Sequence, residues 1–288
     1  MNHTLLFATA SSALLLAACG GSSEPAQPAI TDDAASETSE VASTGDDLGL
    51  CLDAGPQTPR DISSKTGLNT VTFPWAPAST ELNLCNIHTH TNAEHKGPGF
   101  EVFVSSEDDG GYACNDTGSL TEAELTDPAN GSGAYKGVKP GDTIEVHWVH
   151  SSCNVQPGEG LGSCLTDACS DPLLRVEAQV FLVVNDPEAL DFTSFDYAPP
   201  ADGGFHQAKA LPTGSGEPVV FRGSTTGPSY TQSTCSKVKV TWAVRPQCAR
   251  VDISSLHRWA KSGNAFNETK SHGVRQLVTA PELLSEIE

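Results

Sequence analysis

Two short segments of this chain alternate polar and apolar residues, and in both the alternation gathers histidine on one face. Leu82-Asn83-Leu84-Cys85-Asn86-Ile87-His88-Thr89-His90 is the first and Thr143 to Val149 the second. Alternation with a period of two is the pattern of a β-strand, whose successive side chains point to opposite faces. Asn86, His88 and His90 therefore share a face, as do Glu145, His147 and Val149. The two strands must lie together in a sheet for either face to be useful. Paired, they offer three imidazoles with room for a fourth ligand, the donor set of a catalytic zinc. Asn86 and Glu145 stand where they can accept the second ring N–H of such ligands and fix their tautomers. Cys85 and Ile87 on one strand, and Val146 and Trp148 on the other, read as core.

The rest of the pattern is also β. Arg175 to Val184 is a long strand with Val176, Ala178, Val180, Leu182 and Val184 on one face. Glu217 to Arg222 and Lys237 to Val244 are two more strands. Clusters such as Asp108-Asp109-Gly110-Gly111 and Asp202-Gly203-Gly204 mark turns between them. Helical spacing is confined to Leu120–Leu125, Ile253–Lys261 and Pro281–Ile287. The class is mainly β with a minor α component. His95, His150, His206, His257 and His272 lack the paired-strand context and read as structural or exposed.

The N-terminus has a different character. Leu5 to Ala18 is apolar, too short to favour a spanning helix, and ends Leu16-Ala17-Ala18-Cys19. Small residues before a cysteine read as a bacterial lipoprotein signal, residues 1–18, with Cys19 lipidated. No Lys or Arg precedes the apolar run, and an ordinary cleaved signal peptide is the alternative. Residues 19–48 hold seven acids, no base and no aromatic, and read as a disordered acidic tether. Residues 49–288 are long enough for one large domain. Gly20 after the lipidated cysteine points to outer-membrane sorting, facing the periplasm or the cell surface. The lipid is then the only membrane contact. The net charge of −20 excludes nucleic acid as a partner.

Cys19 apart, eight cysteines remain. An even number in an exported domain reads as disulfides, in pairings that spacing leaves open. No Cys-x-x-Cys pair supports a thiolate zinc site.

Further motifs give the histidines a context. Gln57-Thr58-Pro59-Arg60-Asp61-Ile62, Asn86-Ile87-His88-Thr89-His90, Glu94-His95, Glu145-Val146-His147-Trp148-Val149-His150, Gly223-Ser224-Thr225-Thr226-Gly227-Pro228 and Val240-Thr241-Trp242 occur in that order. Together they resemble the α-class carbonic anhydrases. Asn92-Ala93-Glu94-His95-Lys96 and the cysteine-rich loop from Cys153 to Cys169 are similar to the δ class. The resemblance implies a single α-carbonic-anhydrase-like domain with a large, mostly antiparallel, twisted central sheet. It implies one zinc ion per chain on His88, His90 and His147, and reversible hydration of CO2 to bicarbonate. Thr225 would accept a hydrogen bond from the attacking oxygen and donate its own proton to Glu94. Val149, Thr226 and Trp242 would line the substrate pocket, and Cys51 would pair with Cys235.

The chain departs from the α class in two places. No histidine stands near Asn69 to Phe73, where that class has its proton shuttle. Glu177 falls near an apolar pocket position. Two rivals remain: a zinc- or partner-binding lipoprotein without activity on the same scaffold, and a cupin-type metalloenzyme, whose motif spacing His88-x-His90-x3-Glu94 imitates.

Overall fold

A computed structural model describes residues 49–104, 110–201, 203–224 and 231–288. The signal peptide 1–18, Cys19, the tether to residue 48, Thr225 and Thr226 lie outside the described residues.

Ten strands and two helices are described. The strands are β1 (Asn83–Thr91), β2 (Val102–Phe103), β3 (Tyr112–Ala113), β4 (Thr143–Ser151), β5 (Leu174–Val184), β6 (Tyr197–Ala198), β7 (Gln207–Ala208), β8 (Val219–Ser224), β9 (Lys239–Val244) and β10 (Ala249–Asp252). The helices are α1 (Glu122–Leu125) and α2 (Ile253–Lys261). The main sheet runs β1-β4-β5-β9-β8, with β10 pairing β5 beyond the end of β9. β1–β4, β4–β5 and β8–β9 are antiparallel, whereas β5–β9 and β5–β10 are parallel. The sheet is thus mostly antiparallel, as expected, and mixed through the two parallel pairings on β5. The short β10 escapes sequence reading because Ala249-Arg250-Val251-Asp252 alternates too briefly to register. Among the described residues the strand path ends at β1 and β8 and does not close into the barrel of a cupin.

β5 is the centre, and its alternation divides the interior in two. Val176, Ala178, Val180, Leu182 and Val184 pack with Val149, Phe221, Val240, Trp242 and Val244 on one side. Phe181 and Val183 pack with Ile87, Ile144, Val146 and Trp148 on the other. Each buried Val or Leu stabilises the fold by about 1.5–3 kcal/mol. α2 covers the second side with Ile253, Leu256 and Trp259. Asp252 caps it, accepting from the N–H groups of Ser254 (3.2 Å) and Ser255 (3.1 Å). α1 carries a capping box of Thr121 and Glu124. Pro281–Ile287 forms only one 3-10 turn, Pro281–Leu283.

Two readings of side-chain direction need correction. The β1–β4 register shifts between Leu84 and Asn86, leaving Cys85 in a bulge. Cys85 therefore joins the first core while Leu84 and Ile87 both join the second. Glu177 stands opposite Trp148, on the face away from His147. There it pairs with Arg175 (2.7 Å) and Arg245 (3.4 Å), and Val176 occupies the place beside Val149. The site face keeps its apolar neighbours.

The eight remaining cysteines form four disulfides: Cys51–Cys235, Cys85–Cys164, Cys114–Cys248 and Cys153–Cys169. They match an oxidising compartment. No helix among the described residues is long and apolar enough to cross a membrane.

Candidate metal centre

β1 and β4 bring the three histidines together through register. His88 stands directly opposite His147, and His90 opposite Glu145. The bulge at Cys85 leaves this part of the ladder regular, so Asn86, His88 and His90 remain on the face shared by Glu145 and His147. Ala178 of β5 lies beside His147, and its small side chain leaves the imidazole room. The ring centroids are 4.8–5.1 Å apart. One nitrogen from each ring falls within a common 4.8 Å cluster.

The far nitrogen of every ring faces an acceptor. His88 Nδ1 is 2.7 Å from Asn86 Oδ1, and His90 Nδ1 is 3.1 Å from the carbonyl of Gly273. His147 Nε2 is 3.1 Å from Glu145 Oε1, off the line of a well-formed hydrogen bond. A carboxylate has no proton to give, so that ring nitrogen carries the hydrogen whatever the angle. Each near nitrogen is then a lone pair. His88 Nε2 and His147 Nδ1 face each other at 3.3 Å. Two lone pairs at that distance repel, and a cation between them removes the conflict. The donor set thus fits a zinc ion. Burial, with the neighbouring imidazoles, pushes His88 well below its usual pKa and lowers His90 too. Both stay neutral, as ligands must.

Glu145 organises the layer behind. It is fully buried and accepts from the backbone N–H groups of Glu94 (2.6 Å) and His95 (3.1 Å) and from His95 Nδ1 (2.8 Å). His95 is therefore structural, as read. Glu94, His95 and His147 also cluster, with His95 hydrogen-bonded to Glu145 through Nδ1 and His147 Nε2 facing the same carboxylate at 3.1 Å. Glu94 is buried, with Oε1 3.1 Å from Arg275 Nε. Burial alone would raise its pKa. The Arg275 guanidinium holds it well below the usual carboxylate range.

Val149 and Trp242 are buried on the same side. The Trp242 ring lies 5.1 Å from His147 and 4.8 Å from His95, and its Nε1 donates to the carbonyl of Gly223 (3.2 Å). β8 ends at Ser224, one residue before Thr225. Asn69, Val71 and Thr72 line a separate cleft of about 690 Å³ with Trp75 and Arg222. None of the three histidines lines that cleft.

Sequence reasoning missed two partners, Gly273 and Arg275. Gly273 acts through its carbonyl, which leaves no signal in a side chain. Arg275 carries a charge, but no motif marks it.

A family model described as delta carbonic anhydrase matches residues 79–255, more than half the chain and both histidine strands. The chain belongs to the delta carbonic anhydrase family. Membership removes the cupin. No curated protein sequence matches the chain. Among solved structures, it is similar to a hyperthermostable carbonic anhydrase from an active hydrothermal vent chimney. That alignment has 14% identity and a TM-score of 0.28, covering 77% of this chain and 88% of the other. An α-carbonic anhydrase of Photobacterium profundum aligns at 19% identity over 81% and 91% of the two chains, TM-score 0.26. One from Thermovibrio ammonificans, in complex with the inhibitor sulfanilamide, aligns at 17% over 75% and 83%, also at 0.26. The family assignment rests on the sequence match.

Proposed function

We propose that the protein is a zinc-dependent carbonic anhydrase that interconverts CO2 and bicarbonate. The observation that carries this is the three-histidine face, with each far nitrogen turned to an acceptor, in a member of this family. His88 and His90 would hold the ion through Nε2 and His147 through Nδ1. Zinc on neutral imidazoles supplies Lewis acidity toward water, an effect for which carbonic anhydrases are the standard example. The chain's own residues do the rest. Glu94, ionised and acceptor-only, takes the Thr225 hydroxyl proton in a hydrogen bond, which leaves Thr225 oxygen to accept from the attacking oxygen and aim it. Val149 and Trp242 give an uncharged linear substrate an apolar wall, and Thr226 helps place the product. Cys19 anchors residues 49–288 to the membrane through the acidic tether, in the periplasm or at the cell surface.

The test is CO2 hydration by the purified protein, with zinc measured on the same sample. His147→Ala should lose metal and activity together. Thr225→Ala should keep one zinc per chain and lose most activity. Full zinc with no hydration above buffer would leave only a binding protein on this scaffold.

A further inference from the structure

The proposed function uses β1, β4 and the segment after β8, but not the chain that runs along the outer edge of β1. Thr91 N–H donates to the carbonyl of His272 (2.6 Å), and His272 N–H donates to the carbonyl of Thr89 (2.9 Å). Residues 271–275 therefore lie beside β1 like a short parallel strand. The next carbonyl, of Gly273, meets His90 Nδ1. Two residues later Arg275 turns inward and is buried.

Arg275 reaches two places at once. Its Nε is 3.1 Å from Glu94 Oε1, and its backbone N–H is 3.4 Å from the same oxygen. Its Nη2 is 3.4 Å from Thr58 Oγ1. Nε and Nη2 share one edge of the planar guanidinium, so the two contacts are geometrically locked together. Thr58 in turn donates its N–H to the carbonyl of Ser224 (3.2 Å). It also packs so tightly on Gly223 that a Cβ there would collide with its side chain. Ser224 immediately precedes Thr225.

We propose that Arg275 is a positioning residue that fixes the Glu94 carboxylate for the reaction, by holding Glu94 and, through Thr58, the end of β8 on one guanidinium edge. This rests on the carbonic anhydrase reading. Arg275 occupies Oε1 with two donors, and no described residue donates to Oε2. Arg275 also lies beyond the 79–255 match, on a segment that secures His90 through Gly273. One strap thus sets both a metal ligand and the carboxylate behind the attacking oxygen.

The test is CO2 hydration by Arg275→Ala, Arg275→Lys and Thr58→Val, with zinc content and thermal unfolding on the same samples. Arg275→Ala should lower kcat by about 10- to 100-fold, with zinc at the wild-type level and KM within about 2-fold. Millimolar guanidinium should restore part of the loss. Arg275→Lys should fall between, because an ammonium reaches Glu94 without bridging to Thr58. Thr58→Val should cost kcat about 3- to 10-fold. If Arg275→Ala does not fold, Thr58→Val and Arg275→Lys decide. Unchanged kcat in the folded variants would overturn the inference, as would losses that track zinc and are not rescued. A wild-type protein without hydration activity would sink the carbonic anhydrase reading and this inference with it. An active wild type with indifferent variants would sink this inference alone.

Discussion

Glu145→Gln changes one atom in the most crowded polar position of the site. The carboxylate is fully buried and faces four hydrogens. Oε2 takes the N–H groups of Glu94 and His95; Oε1 takes His95 Nδ1–H and faces His147 Nε2. A glutamine in the same rotamer has one acceptor, so it can serve only one pair. The backbone N–H groups cannot become acceptors, whereas an imidazole can move its proton. The amide oxygen therefore stays with the backbone, and its NH2 drives both rings to the other tautomer. His147 then carries its hydrogen on Nδ1, the atom 3.3 Å from His88 Nε2 and the one assigned to the ion.

The magnitude follows. Losing a tautomer-setting partner weakens metal binding by about 10- to 100-fold, or about 1.4–2.7 kcal/mol. The two backbone bonds persist as neutral ones at about half strength, and the carboxylate's removed desolvation offsets part of that. The metal-free fold should lose about 2 kcal/mol, a Tm drop of about 4–8 °C. Competition against a chelator of known zinc affinity reads the first number, and thermal unfolding of metal-free protein reads the second. Unchanged zinc affinity would refute the reasoning, because the acceptor behind His147 would then not be what fixes its tautomer.

Two further expectations concern stability. His150 is buried, and burial pushes its pKa down to about 4 from 6.5, while it bonds the carbonyl of Trp148. Between pH 6.5 and 4 the unfolded chain binds a proton that the folded one does not, so acidification should remove up to about 3 kcal/mol. His150→Asn keeps a donor without titrating. Urea unfolding across that range should show a shallower acid limb, and an identical limb would exclude His150 as its source. Among the disulfides, Cys153–Cys169 closes a separation of 16 residues. With the other bridges intact, the shortest path closed by Cys51–Cys235 runs through Cys114–Cys248 and spans roughly 76 residues. Replacing Cys51 and Cys235 by serine should cost about 1.4 kcal/mol more than replacing Cys153 and Cys169; the reverse order in denaturant unfolding would rule out loop entropy as the main term.

What was legible in the sequence is what repeats with period two. β1, β4 and β5 appear nearly to the residue because their alternation is long and both sheet faces are buried. The common face of His88 and His90 follows from that alternation, and the β1–β4 register brings His147 to it. The illegible parts have local physical reasons. Cys85 sits in a bulge, which breaks the parity that alternation assumes. Glu177 lies on a strand whose register to β4 depends on side-chain packing, so resemblance could set it only near the pocket, whereas it faces the other way. The parallel pairings of β9 and β10 to β5 depend on chain crossovers that no local pattern encodes. Gly273 contributes only a carbonyl, and Arg275 is one of sixteen bases until the fold turns it inward.

The site asks for two opposite things from one environment. Its imidazoles must stay neutral, and its carboxylates must stay charged. Burial does the first, and desolvation is the main cause of the lowered basicity of His88. The same burial works against the second, since it raises the pKa of Glu94. Glu145 resolves the conflict with donors, taking backbone and imidazole hydrogens on both oxygens. Glu94 has no such set of donors among the described residues, and its backbone N–H is already given to Glu145. It needs a permanent cation that is not itself a ligand, close enough to act and too basic to lose its proton when buried. An arginine meets that requirement and a lysine does not, so the position that charges Glu94 belongs to Arg275, on a segment that alternation never marks.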